Sequence, residues 1–217
     1  MGKQKGIREY LVSECVLFRK TKEEYGGLSN MAPGYSIKIN DVIIPSSEHL
    51  YQACRFPDYP EIQWEIINEK SPMKAKWIGR KHIEQSRKDW DKVRFMVMRW
   101  AIEVKLSQNW NKFSALLLST GDRPIVELTP KDKIWGATRN GDYCGGVNAL
   151  GRLLMHVREE YAKKNLPFRC VPPIDIENFY FLDFQIGEVC NDKEEYGNNT
   201  LDEEYLTQEP NGFNFKY

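Results

Sequence analysis

The segment SSEHLYQACRF, residues 46–56, places an acid, an aromatic ring, an amide and a cation within the first turns of an expected helix. At 3.6 residues per turn, Glu48, Gln52 and Arg55 share one helix face, and Tyr51 lies at its edge. The apolar residues between them point elsewhere and can pack in the core. The pattern therefore predicts a polar set kept apart from the core. The simpler alternative is that Glu48 only interacts favourably with the helix dipole.

Two other stretches could contact phosphates. In DKIWGATRNGDYCGGVNALGR, the pair Gly145–Gly146 precedes an expected helix, whose free backbone amides can hold a phosphate. Lys70 to Arg94 contains nine Lys or Arg and three Asp or Glu, with Trp77 and Trp90 interleaved. Cations and aromatic rings in this mixture suit phosphate contact and base stacking. The alternatives are glycines that only shape a loop and a solvated helix face.

Bulk composition narrows the classes of protein. The 217 residues carry 31 Lys or Arg and 31 Asp or Glu, so nothing at the whole-chain level marks a nucleic-acid or membrane binder. The five cysteines are odd in number and form no C-x-x-C pair, which argues against a disulfide framework and favours a reducing cytoplasm. The longest aliphatic run is too short to span a bilayer, and three dispersed histidines give a metal site little support.

The elements that must position these residues are mostly helices. YSIKINDVIIP predicts a hairpin that turns at Asn40-Asp41, and Ser46 or Ser47 can cap the helix that follows. Apolar periodicity predicts a long helix around residues 89–109, and Pro72 fits the first position of another helix. After Leu166 the helical period is lost. Residues 191–209 hold seven Asp or Glu and one Lys, which predicts a disordered or loosely attached tail.

Taken in order, several motifs resemble the YbiA/NADAR family of N-glycosidases. They are EYGGLSNMAP, SSEHLYQACRF, SPMKAKWIGR, DWDKVRFMVMRWAIEVKLSQN, LLLSTGDRPIVELTPKDKIWGA and GGVNALGRLLMHVR. The resemblance covers residues 24–158 and is strongest to the bacterial NADAR branch. It implies a compact, mainly α-helical α+β single-domain fold with a short β-hairpin or small sheet. We expect the catalytic domain to span residues 1–166, followed by a C-terminal extension with an acidic tail, residues 167–217.

The resemblance also implies an activity that needs no metal or cofactor. The expected reaction is removal of ADP-ribose from guanine bases in DNA, and the expected role is that of a cytoplasmic antitoxin to a DarT-class DNA ADP-ribosyltransferase. Free ADP-ribose is a further expected ligand, and no membrane partner is expected. The alternatives are hydrolysis of phosphoribosyl intermediates of riboflavin biosynthesis, and a non-catalytic module that binds ADP-ribosylated nucleic acid.

Candidate roles follow from the chemistry that the resemblance implies. Cleaving an N-glycosidic bond builds positive charge on the sugar carbon, so we expect the Glu48 carboxylate to stabilise that charge and to activate water. Asp132 is the second candidate acid or base, and Lys76 or Lys105 could act as a Schiff-base nucleophile. The candidate substrate-binding residues are Asn30, Tyr51, Arg55, Arg80, Trp90, Trp135, Gly136, Gly145, Gly146 and Asn148.

Overall fold

The computed structural model describes residues 6–191 and has the expected α+β, mainly helical architecture. Within these residues the α-helices are α1 (Ser47–Ala53), α2 (Pro60–Ile67), α3 (Pro72–Lys81), α4 (Trp90–Gln108), α5 (Trp110–Ser119) and α6 (Ala149–Val157). The strands are β1 (Arg8–Leu11), β2 (Val16–Phe18), β3 (Ile37–Ile39), β4 (Val42–Ile44), β5 (Ile125–Glu127), β6 (Thr138–Asn140), β7 (Tyr143–Gly146), β8 (Cys170–Val171), β9 (Tyr180–Phe181), β10 (Phe184–Gln185) and β11 (Val189–Cys190).

The predicted hairpin is confirmed and leads directly into α1. Strands β3 and β4 pair antiparallel, and both turn residues, Asn40 and Asp41, have positive φ, as a tight hairpin turn requires. Ser46 stands at the N-cap of α1, as predicted, but its hydroxyl does not cap a backbone amide. Instead it lies 2.7 Å from Nδ1 of His49, whose Nε2 lies 2.9 Å from the Glu69 carbonyl oxygen. Because that carbonyl can only accept, His49 donates through Nε2 and accepts the Ser46 proton.

The core forms around the long helix α4. Its apolar positions, which include the fully buried Val97, Trp100 and Val104, match the predicted stripe. The indole nitrogen of Trp100 donates to the carbonyl of Pro172, which anchors the chain beyond the last helix to α4. α4 packs against α1, α5 and α6. Its first turns also contribute residues to the cavity described below.

Near the start of the described chain, β1 and β2 follow each other closely but belong to different sheets. β1 pairs with β7 in the three-stranded sheet β1-β7-β6, whereas β2 pairs in parallel with β5. A 3-10 turn at Val12–Glu14 separates β1 from β2 and redirects the chain. The parallel pair brings the end of β5, Glu127, next to Phe18 and into the interior of the domain.

The segment after α6 packs on the domain. Phe179, Phe181 and Ile186 are buried in the main core, so the described part of the expected extension contributes to that core. The domain boundary at residue 166 stays a prediction, and the predicted acidic tail lies outside the described residues except for Asn191.

The expectation that the cysteines form no disulfide is corrected. Cys170 and Cys190 are joined by a disulfide across the β8–β11 pair. The two residues stand directly opposite each other in that antiparallel pair, with 4.0 Å between their Cα atoms. An odd number of cysteines argues against full pairing, but it does not exclude a single bridge between facing strands. None of the helices in residues 6–191 combines the length and the apolar character needed to cross a membrane.

Candidate active site

A cavity of about 520 Å³ opens beside α1, α3 and the first turns of α4. This volume is within the usual range for small-molecule sites. Nine of the residues selected from the sequence line it: Asn30, Glu48, Tyr51, Arg55, Lys76, Arg80, Trp90, Asp132 and Trp135. These residues are scattered over more than a hundred positions of the chain, and the fold brings them to one place.

Glu48 lines the cavity although only 5% of its surface is exposed. Its backbone amide donates to the Asn30 carbonyl at 3.0 Å, and the Gln52 side-chain amide donates to its Oε1 at 2.9 Å. Burial raises the pKa of the Glu48 carboxyl, while the charges of Lys76 and Arg80 and the Gln52 hydrogen bond oppose that rise. Glu48 is therefore a largely desolvated carboxyl group beside two cations.

Gly79 explains how α3 comes close enough to supply those cations. A Cβ atom at this position would lie 2.3 Å from Oε1 of Gln52, so α3 lies against the Gln52 side chain of α1 with no room for a larger residue unless that side chain moves. Lys76 and Arg80 are one helical turn apart on α3 and both line the cavity. The close approach of the two helices thus brings their charges near Glu48.

Glu127 is the most important cavity residue that the sequence reasoning missed. It is the last residue of β5 and lines the cavity. The pKa of Glu127 is raised to about 7, chiefly by burial. The charge of Lys76 opposes this rise, and the charges of Glu48 and Asp132 contribute to it. The sequence signal for this residue was an acid within the apolar segment PIVEL, because Asp and Glu are rarely buried unless they have a partner.

Asp132 and Trp135 lie in one loop that closes a side of the cavity. Oδ1 of Asp132 accepts hydrogen bonds from the amides of Ile134 and Trp135, both at 3.0 Å. One Asp132 oxygen is thereby committed to holding the loop. The Trp135 ring packs edge-on against Tyr51 at 5.5 Å, and Tyr51 in turn contacts Trp90 at 4.9 Å. Trp135, Tyr51 and Trp90, each in contact with the next, therefore form one aromatic wall of the cavity.

Arginines line the cavity next to this wall. The Arg55 guanidinium lies 5.5 Å from the Trp90 ring centre, and its Nε donates to the Ser86 hydroxyl at 2.7 Å. Arg55 follows the end of α1 instead of extending its polar face, because the helix ends at Ala53. Arg94, which the sequence reasoning did not select, also lines the cavity. Guanidinium groups in this position can bind phosphate oxygens in pairs.

Lys105 lies outside the cavity lining. Only 1% of its surface is exposed, and its Nζ donates to the carbonyls of Gly27 and Ser29 at 2.7 and 3.3 Å. The rings of Tyr35 and Phe113 also face the ammonium group, at 4.3 and 4.1 Å. Burial holds the Lys105 pKa well below its usual value. Of the two candidate nucleophiles, only Lys76 reaches the cavity.

Four more sequence-selected residues lie outside the cavity lining: Gly136, Gly145, Gly146 and Asn148. The glycine pair belongs to β7 and not to the start of α6. The amides of Val147, Asn148, Ala149 and Leu150 donate to carbonyls of residues 133–136, so they are not free to hold a phosphate.

Three of these residues instead position Glu127. A Cβ on Gly136 would lie 2.5 Å from the Glu127 carbonyl oxygen, and a Cβ on Gly146 would lie 2.4 Å from the Gly136 carbonyl oxygen. Asn148, with φ of 51°, donates to the Ile125 carbonyl and accepts from the Glu127 amide. The glycines thus permit close backbone packing around the strand end that carries Glu127, and Asn148 ties it down.

One group within residues 6–191 has the composition of a metal site. The sulfurs of Cys170 and Cys190 and a Glu188 carboxylate oxygen lie within 4.8 Å of one another. Because the two sulfurs are bonded to each other, they cannot act as thiolate ligands. The group is also separate from the cavity residues.

Comparison with known proteins places this site in a family. Residues 17–162 match the NADAR domain model. The chain is 37% identical over 156 residues to the N-glycosidase YbiA of Escherichia coli (strain K12), covering 72% of this chain and 94% of that protein. It is also 37% identical over 147 residues to the N-glycosidase Npun_R5314 of Nostoc punctiforme, covering 67% of this chain and 91% of that protein.

One longer relative and one solved structure are also similar to this chain. The chain is 34% identical over 169 residues to the riboflavin biosynthesis protein VVA0006 of Vibrio vulnificus, covering 78% of this chain but 44% of that protein. The NMR structure of E. coli YbiA matches with a TM-score of 0.61 and 36% identity, covering 73% of this chain and 91% of that chain. The family match and these relatives support a domain of the N-glycosidase class. The chain belongs to the NADAR family.

Proposed function

We propose that this protein is an N-glycosidase that removes ADP-ribose from guanine bases in DNA. The observation that carries the proposal is the composition of the cavity: six Lys or Arg and four Asp or Glu line it together with an aromatic wall. The excess of two positive charges suits a phosphate-bearing ligand, the rings suit a base, and the buried acids suit the sugar carbon. The N-glycosidase names of the relatives support action on an N-glycosyl bond.

The proposed reaction divides its proton transfers between two carboxyl groups. As the bond between the anomeric carbon and the guanine amino nitrogen breaks, positive charge grows on the sugar and electrons move to the nitrogen. Glu48, beside Lys76 and Arg80, is the carboxylate that stabilises the sugar cation and accepts a proton from the attacking water. Glu127, whose pKa is about 7, donates a proton to the leaving nitrogen. Water supplies the new hydroxyl of ADP-ribose, and guanine regains its amino group.

Asp132 retains a supporting part in this scheme. Its loop contacts hold Trp135 in the aromatic wall, and its charge favours the protonated form of Glu127. Lys76 offers a second route, in which its amine attacks the opened sugar and forms a Schiff base that water later hydrolyses. Lys105 has no such access.

The biological setting belongs to the same proposal. Removing ADP-ribose from DNA would reverse the action of a DarT-class transferase, so we propose an antitoxin role in the cytoplasm. Four cations from the basic stretch line the cavity: Arg80, Arg87, Lys88 and Arg94. They support a nucleic-acid-linked substrate, because cations bind the phosphates of a nucleic-acid strand.

A second candidate is hydrolysis of phosphoribosyl intermediates of riboflavin biosynthesis. The name of the relative from V. vulnificus favours it, since that relative is a riboflavin biosynthesis protein. The same cavity cations could bind one phosphate, and the same acids could cleave the same type of bond.

One assay separates the candidates. Purified protein is offered an ADP-ribosyl-guanine oligonucleotide and, separately, the phosphoribosyl riboflavin precursors. Release of ADP-ribose from the oligonucleotide is the expected result. Release of ribose 5-phosphate from the precursors alone would favour the second candidate, and tight binding without release from either would assign a non-catalytic binding module.

A further inference from the structure

An exposed aromatic strip lies on α3 beside the mouth of the cavity. We define the α3 strip as Met73, Trp77, Arg80 and Lys81. Met73 and Trp77 are one helical turn apart, and 63% and 62% of their surfaces are exposed. Large apolar side chains this exposed and this close together are typical of an interaction surface.

The strip is continuous with the cavity. Arg80 belongs to both, and Ile83, which is 58% exposed, lines the cavity just beyond the end of α3. On an α-helix, Trp77 is about 60° around the axis from Arg80, on the side away from the buried Ala75 and Ile78. Trp77 therefore neighbours a cavity residue on the surface of α3.

Three cations neighbour Trp77 on the surface of α3, since Lys74, Arg80 and Lys81 lie three or four residues from it. Within residues 6–191, Lys74, Arg80 and Lys88 form no ion pair, whereas Lys81 lies 3.5 Å from a Glu65 carboxylate oxygen. Lys70 to Arg94 as a whole holds nine Lys or Arg against three Asp or Glu. An exposed ring among unpaired cations is complementary to a nucleic-acid strand, which offers one base face and one phosphate per nucleotide.

The neighbouring helix provides a contrast. Trp64 on α2 is 44% exposed, Glu61 lies one helical turn before it, and Glu65, the next residue, pairs with Lys81 and His82. α2 carries no Lys or Arg, so Trp64 is an exposed indole without the neighbouring cations that Trp77 has on α3. It serves as a matched control.

We propose that the α3 strip binds single-stranded nucleic acid, with Trp77 stacking on a base that flanks the modified guanine. This inference rests on the proposed action on a base in DNA and adds the surface that holds the strand outside the cavity.

The test measures binding of a labelled, unmodified 12-nucleotide single strand by fluorescence anisotropy at low salt. Losing one base–aromatic stack corresponds to roughly a tenfold or greater loss of affinity, so we expect Trp77→Ala to weaken binding by about tenfold. Trp77→Phe, which keeps a ring, should retain most of the affinity. Trp64→Ala should bind as the wild type does. Because Trp77 and Trp64 are both exposed, these substitutions should leave the fold intact, which circular dichroism checks.

The outcome can be told apart from failure of the proposed function, because unmodified DNA requires no turnover. Wild-type affinity in Trp77→Ala, or no measurable binding by the wild type, would overturn the α3 strip as a strand-binding surface even if the protein releases ADP-ribose. Loss of binding in Trp77→Ala would support the strip even if the cleaved substrate proves to be another nucleic-acid modification.

Discussion

The side-chain amide of Gln52 donates a 2.9 Å hydrogen bond to Oε1 of Glu48, one turn earlier on α1. Oε1 of Gln52 is itself buried and has no hydrogen-bond partner among the described residues. The pair therefore orients the Glu48 carboxylate, while Oε1 of Gln52 lies against Gly79 of α3.

We predict that Gly79→Ala impairs catalysis by disturbing this pair. The new Cβ would lie 2.3 Å from Oε1 of Gln52, so the amide must rotate and release Glu48. Loss of a catalytic orientation typically costs about 10²-fold in rate. Single-turnover kinetics measure the effect, and Gly187→Ala is the control because nothing lies within 4 Å of a Cβ there. Equal rates in the two variants would show that the Gln52–Glu48 contact is dispensable.

The second prediction concerns the pH dependence of activity. With the Glu127 pKa at about 7, the protonated acid is lost as pH rises through neutrality, so kcat/KM should fall on the alkaline side. Glu127→Gln should lower the rate by about 10²-fold or more and remove that alkaline limb. A pH–rate profile of both proteins tests this, and an unchanged limb in the variant would assign the titration to another group.

The same group predicts a pH-dependent change in stability. The Glu127 pKa is raised on folding, so the folded state loses stability as pH rises from the unfolded pKa, about 4.3, through the folded pKa of about 7. Glu127→Gln removes this loss. We expect its Tm to exceed that of the wild type at pH 8, with the difference vanishing near pH 4. Thermal unfolding followed by circular dichroism gives both values, and a difference that is equal at the two pH values would contradict the assignment.

We predict that replacing Lys76 lowers activity, whereas replacing Lys105 lowers thermal stability. Lys76→Met should fold as the wild type and lose activity, since the residue lines the cavity and its charge acts on Glu48 and Glu127. Lys105→Met should lower Tm, because the carbonyls of Gly27 and Ser29 lose their buried donor. By the Schiff-base route, cyanoborohydride added during turnover would attach sugar to Lys76 and not to Lys105, as peptide mass spectrometry would show. An adduct on Lys105 would contradict the placement of the two amines.

Local sequence patterns predicted the secondary-structure elements well, but they did not predict the contacts between distant parts of the chain. The Asn40-Asp41 turn, Pro72 at the start of α3 and the apolar stripe of α4 each follow from a few neighbouring residues, and the structure confirms them. The shared face of Glu48 and Gln52 on α1 was also predicted, because the two residues are one turn apart on a helix. These signals are local, so one sequence is enough to interpret them.

Residues that depend on distant contacts were misplaced or missed. Glu127 enters the cavity only because β5 pairs in parallel with β2, more than a hundred residues earlier. Lys105 shares a helix with cavity residues, yet its ammonium group turns toward Gly27 and Ser29 instead. The Cys170–Cys190 bridge likewise requires the β8–β11 pairing. None of these contacts leaves a periodic signal in the sequence.

The most direct measurement of the central claim is the single-turnover rate of Glu48→Gln on an ADP-ribosyl-guanine oligonucleotide. This substitution keeps the size of the side chain but removes the charge that stabilises the sugar cation. We predict a folded protein that binds the oligonucleotide and releases ADP-ribose about 10³-fold more slowly than the wild type. Wild-type release by a variant shown to be folded would contradict the role of Glu48 and the mechanism built on it.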